Sequence, residues 1–142
     1  FCTLLILHQT SIQPLHMAFQ EVGTAFVGQY YQYFSSNRAS LAGVYRPTSL
    51  MTWAGEQMQG VDSIMGRFST LAFNQCQFKP EDIDCHPSLS GGVIVVVNGE
   101  VLLEGERHPL KYNDVFHLAS DASGWFISNQ IFRIIGGGGQ AQ

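Results

Sequence analysis

Charge is scarce in this 142-residue chain: charged residues make up 13%, seven Lys+Arg stand against eleven Asp+Glu, and the net charge is -4. So few cations argue against a nucleic-acid partner, because wrapping a phosphate backbone needs a basic face. A basic protein surface suits the charge better. Cysteine is scarce as well. Cys2, Cys76 and Cys85 are odd in number and form no CxxC pair. Neither a disulfide framework nor a zinc quartet is expected, and a reducing intracellular setting fits. No cofactor or metal ion is expected. Long apolar runs are missing too: Leu4-Leu5-Ile6-Leu7 falls far short of the roughly 18 residues of a membrane span. No Lys or Arg precedes that run, as a secretory signal would require. What the chain has in quantity is apolar side chains, 45% of its residues. That content argues against disorder. A chain of about 150 residues buries roughly 70% of its unfolded surface, enough for one domain with its own core.

Residues 1–16 carry no charged side chain and no strong amphipathic pattern, and Met17 then opens a periodic segment. The expectation is a leader over 1–16 that is added or non-native sequence, a folded unit over 17–135, and a Gly-rich tail over 136–142 that cannot offset its ordering entropy. Inside the unit, Phe19, Val22, Phe26, Tyr30 and Phe34 recur at three- and four-residue steps and share one helix face. Asn37 can cap a short second helix through Val44, stopped by Arg46-Pro47. Leu50 to Trp53 and Gln57 to Gln59 read as short strands around Gly55. Asp62 opens a helix whose Ile64, Phe68 and Leu71 share a face. From Asn74 the chain turns to strand character, with Val93 to Val97, Leu110 to Ser120 and Trp125 to Ile135 as its clearest runs.

Helices first and strands after predict an α+β fold: a strongly bent, mostly antiparallel sheet around about three helices. The helices cover one face of that sheet. The other face is left to pair with a second copy, so a dimer through the sheet is expected.

Four ordered strings carry a family resemblance. They are "FVGQYYQYF" (Phe26 to Phe34), "LMTWAGEQMQG" (Leu50 to Gly60) leading into "IMGRFSTLAF", "PLKYNDVFHL" (Pro109 to Leu118) and "ISNQIFRI" (Ile127 to Ile134). Together they resemble the nuclear transport factor 2 family, small dimeric carriers of the GTPase Ran. The resemblance implies a cone-shaped fold that dimerises through its sheet, no catalysis, and binding of Ran in its GDP form and of Phe-Gly nucleoporin repeats. It also implies a location in cytoplasm and nucleus, enriched at the pore.

Carried onto this chain, the resemblance puts Trp53 at the mouth of a hydrophobic cavity that accepts an aromatic side chain of Ran, with Phe68 and Ile131 as walls. The alternative for Trp53 is a plain core residue. Trp53→Ala is expected to weaken binding while the fold persists. Glu104 and Glu106 match acidic rim positions that meet basic residues of Ran; the alternative is solvated loop charge. Ala54 departs from the family, which commonly has Glu there. Glu56, two residues on, could compensate. Phe19 and Val22 match the Phe-Gly repeat site, or begin the buried stripe of the first helix.

A rival reading is an isomerase or dehydratase on the same cone architecture, since fold does not fix function. It needs a carboxylate or histidine within reach of a bound reactant. Tyr30 and Tyr112 could supply hydroxyls, but no base is evident near them. Cys85-His86 would point to opposite faces of a strand. Asp82 and Asp84 read as solvated, and His117 as a satisfied histidine. A third reading is a Phe-Gly adaptor without Ran binding.

Overall fold

The computed structural model describes residues 2–136, with side chains from Ala18 onward. Helix α1 (Cys2–Ser36) is followed by a 3₁₀ turn (Arg38–Val44), strands β1 (Tyr45–Trp53) and β2 (Glu56–Gln59) and helix α2 (Val61–Ser69). Then come β3 (Cys76–Pro87), a short 3₁₀ turn (Leu89–Gly91), β4 (Val93–Leu103), β5 (Leu110–Asp121) and β6 (Gly124–Gly136).

Two boundaries differ from the sequence reading. Helix α1 does not begin near Met17 but runs back to Cys2. Once a helix is nucleated, each added residue gains a backbone hydrogen bond, so extension needs no amphipathic pattern. The Arg46-Pro47 pair, expected to end the 3₁₀ turn, lies inside β1. Proline fits there because the β1–β6 register is broken between Tyr45 and Leu50, where no ladder donor is needed. The tail beyond Gly136 lies outside the described residues.

The six strands form one open sheet in the order β2-β1-β6-β5-β4-β3. All neighbours are antiparallel except β1 and β6, which run parallel. No hairpin links β1 to β6, so their direction is set by the long connection between them. Register shifts at Pro80/Asp82, Lys111/Tyr112 and His117/Leu118 bend the four-strand meander from β3 to β6.

The bent sheet wraps α1. Val27, Tyr30, Tyr31 and Phe34 form the buried stripe of the helix, with Phe19, Val22 and Phe26 half-buried beside it. Facing them, alternate strand residues point inward: Val93, Val95 and Val97 on β4, Tyr112, Asp114, Phe116 and Leu118 on β5. Helix α1 presses on β3 so closely that a Cβ at Gly23 would collide with Cys85 Sγ. Helix α2 opens from Gly60 and buries Ile64 and Phe68, the stripe read from the sequence; Leu71 falls two residues beyond its end.

Candidate functional site

Strand β1 ends at Trp53, and a tight turn through Ala54 (φ 51°) and Gly55 (φ 89°) leads into β2. Positive φ at both central residues is the turn geometry that matches the twist of a hairpin. The turn fixes Trp53 against the concave face. Its indole is stacked on Phe132 (centroids 4.3 Å apart) and on Phe34 (5.8 Å), with the edge of Phe68 at 5.4 Å. The residue is only 7% exposed, yet it lines an open cavity of about 340 Å³. Leu71, Phe73, Phe78, Phe132 and Ile134 supply its large apolar wall residues, and Ala54 and Arg67 also line it. Trp53 is therefore core on one side and cavity wall on the other.

Phe68 does not line the cavity. It is fully buried behind Trp53 and supports it from below. Ile131 is a correction. It is 51% exposed and lies on the opposite face of the sheet, where it lines a separate hollow with Leu50, Thr52, Met58 and Asn129. Side chains alternate along β6, and Gln130 and Phe132 point inward, so the residue between them points out. Phe132 takes the wall position expected of Ile131. The apolar residues 131, 132 and 134 of "ISNQIFRI" give no period-two signal that could have chosen between them.

The charged residues are distributed unevenly. Glu56 pairs with Arg67, Oε2 to Nε 3.3 Å, at the mouth of the cavity. Glu104 and Glu106 lie in a neighbouring groove that shares Leu103 with the cavity. The Glu104 carboxylate accepts the backbone N–H groups of Asn74 and Gln75, both at 3.0 Å, while Glu106 stands exposed in the same loop. Phe19 and Val22 sit about midway along α1, half-buried, and Gln20 between them donates to the Ile83 carbonyl at 3.0 Å.

A second cluster went unrecognised in the sequence. Asp114, 1% exposed, accepts from Gln130 Nε2 at 3.0 Å and from the Tyr31 hydroxyl at 3.1 Å. Gln130 Oε1 accepts from the Tyr45 hydroxyl at 2.6 Å, and Tyr45 and Tyr30 hydroxyls lie 3.0 Å apart. Burial pushes the Asp114 carboxyl well above the usual carboxylate range, only partly opposed by its two donors. Among the described residues no Lys or Arg forms an ion pair with it. The same burial raises Tyr30, Tyr31 and Tyr45 above the ordinary phenol value. Its signal was present in the sequence: Tyr112, Asp114, Phe116 and Leu118 alternate on one strand, with a single acid on the apolar side.

The other tempting groups stand apart. Asp82, Asp84 and His86 are exposed, with Cys85 buried on the other face of β3. His117 Nε2 is bonded to Ser88 Oγ at 2.8 Å. Among the described residues no cluster of His, Cys, Asp and Glu could hold a metal ion, and no helix is long and apolar enough to cross a membrane.

Comparison with known proteins follows this geometry. The model of the Nuclear transport factor 2 (NTF2) domain matches residues 22–134. The chain is 41% identical over 115 residues to nuclear transport factor 2B of Arabidopsis thaliana, covering 80% of this chain and 91% of the relative. It is 36% identical over 122 residues to nuclear transport factor 2 of Neurospora crassa, covering 85% and 98%. The solved structure of nuclear transport factor 2 from Cryptosporidium parvum superposes with a TM-score of 0.78 at 41% identity, over 82% of this chain and 94% of that one. These relatives are named as transport factors, and they support a role in nuclear transport. With its bent open sheet around α1 and α2 and this likeness along most of its length, the chain belongs to the nuclear transport factor 2 family.

Proposed function

We propose that the chain is a non-catalytic carrier that binds Ran in its GDP form and Phe-Gly nucleoporin repeats, moving between cytoplasm and nucleus through the pore. The observation that carries this reading is the open apolar cavity beside Trp53. Its volume of about 340 Å³ is enough for an inserted aromatic ring, and buried aromatic pockets of this kind concentrate binding energy. None of its lining residues is Asp, Glu, His, Cys or Tyr, so no wall group suits the acid–base chemistry of the rival isomerase or dehydratase. Asp114, the one buried carboxylate among the described residues, is already engaged by Tyr31 and Gln130. Phe19 and Val22 offer a shallow apolar surface suited to weak, fast-exchanging repeat contacts. The opposite face of the sheet exposes Leu50, Ile94 and Ile131 and supports pairing with a second copy.

Ala54 leaves the cavity mouth without the carboxylate that the family commonly places there. Glu56 stands closest to that role, but shares its charge with Arg67. Titration calorimetry with Ran loaded with GDP or GTP tests the proposal. Binding of the GDP form with the GTP form at least about tenfold weaker, roughly 1.4 kcal/mol, is expected. Equal affinity for both forms, or binding of neither, would overturn it. Repeat binding without Ran binding would select the adaptor reading.

A further inference from the structure

We propose that Glu104 and Arg38 are positioning residues that hold the loop from Thr70 to Gln75 in place as one wall of the Trp53 cavity; its functional consequence rests on the Ran-binding reading. That loop supplies Thr70, Leu71, Ala72 and Phe73 to the cavity and has no regular hydrogen-bonded structure of its own. A wall made of loop keeps its shape only if its backbone groups are held from outside.

Two side chains of opposite charge supply that hold. The Arg38 guanidinium donates to the carbonyls of Phe34 (3.4 Å), Phe68 (3.4 Å), Phe73 (3.2 Å) and Asn74 (3.1 Å). It also lies over the rings of Phe34 and Phe73, 4.6 and 5.2 Å from their centroids. One planar fork thus ties the ends of α1 and α2 to the loop, a geometry a lysine cannot reproduce. From the other side, Glu104 accepts the N–H groups of Asn74 and Gln75 through one oxygen, and its own N–H donates to the Gln75 carbonyl at 3.0 Å. Arg38 therefore takes carbonyls of the segment and Glu104 takes its amides. A carboxylate is a strong acceptor for backbone amides. Glu104 serves the cavity from within its own chain, and Glu106, exposed one residue beyond Gly105, is the carboxylate free to meet a partner.

The test separates charge from acceptor. Glu104→Gln removes the charge but keeps an oxygen that can accept both amides; Glu104→Ala removes both. Amide hydrogen exchange at Asn74 and Gln75 in the free protein reads the hold directly. It should quicken about tenfold or more in Glu104→Ala and less than about threefold in Glu104→Gln. Affinity for Ran-GDP should fall at least about tenfold in Glu104→Ala, fall less in Glu104→Gln, whose only loss is charge, and fall in Glu106→Gln through lost charge. Unchanged exchange in Glu104→Ala would overturn the proposal. So would a Glu104→Gln variant that loses as much affinity as Glu104→Ala, because Glu104 would then act as a charge on the partner. If the parent protein binds no Ran-GDP, the functional reading fails, and the exchange measurements still decide whether Glu104 holds the loop.

Discussion

The concave side of the sheet holds two regions that meet at Phe78, and they are built on opposite terms. The Phe78 ring is stacked on Tyr31 at 4.4 Å, and through Tyr31 it abuts the polar cluster of Asp114, Gln130, Tyr45 and Tyr30. Phe78 also forms part of the wall of the Trp53 cavity. On one side every donor reaching Asp114 comes from the protein and the group is sealed from water. On the other, the walls are apolar and the space is open. Acid–base chemistry would need the carboxylate on the open side, and recognition of an inserted ring needs the apolar surface there. The division between the two regions supports the binding reading over the catalytic one.

Trp53→Ala attacks the open region and carries the largest expected effect. The indole is sandwiched between Phe132 and Phe34, so truncation removes packing on both faces. Loss of a buried aromatic of this kind costs about 3–5 kcal/mol. Stability as well as binding should therefore suffer, which departs from the expectation that the fold would be spared. Urea unfolding measures it. A change under about 1 kcal/mol would mean that the cavity side dominates and that Trp53 contributes little to the core.

The sealed region should respond to pH as the open one does not. Asp114→Ala strands the Tyr31 hydroxyl and one Gln130 N–H, each at about 1–2 kcal/mol, so a loss of about 2–4 kcal/mol is expected. The pH dependence has a definite sign. Because burial raises Asp114, the folded chain keeps a proton that the unfolded chain releases above about pH 4. Its contribution to stability therefore falls as pH rises, by up to about 1.4 kcal/mol per unit, until the raised folded value is passed. Asp114→Asn cannot lose that proton, so its stability relative to the parent should improve between about pH 4 and pH 8. Parallel urea profiles for the two proteins would show that the folded carboxyl titrates at its ordinary value.

How far each region could be read from the sequence follows from the range of the interactions that make it. The helix stripe from Phe19 to Phe34 and the long strands β5 and β6 rest on local periodicity, and they stand where that periodicity placed them. The local pattern placed Trp53 at the end of a strand beside a turn, where it stands, but only the family resemblance pointed from it to a cavity. Ile131 was misplaced because Phe132 beside it is equally apolar, and the pairing register decides which of the two faces inward. Glu104 was singled out as a rim acid, but its hold on the loop amides could not be read. Its amide partners lie 29 and 30 residues away, and nothing in the local string Leu103-Glu104-Gly105-Glu106 marks one acid as engaged and the other as free. The parallel pairing of β1 with β6 was hidden for the same reason, since direction belongs to the chain's long return and not to either strand.

The smallest expected effect lies at the border of the open region, where Glu56 and Arg67 meet at 3.3 Å. The two side chains are 61% and 30% exposed, so their attraction is screened by water and contributes at most about 0.5–1 kcal/mol. Glu56→Gln should leave unfolding almost unchanged. Its consequence is electrostatic: Arg67 also donates to Thr70 at 3.1 Å and stays at the cavity lining with its charge uncompensated. A basic partner would then meet a more positive mouth, its association rate should fall, and the salt dependence of that rate should weaken. Stopped-flow association with Ran-GDP across salt concentrations measures both. An unchanged rate would show that Glu56 takes no part in the partner's approach, leaving that role to Glu106.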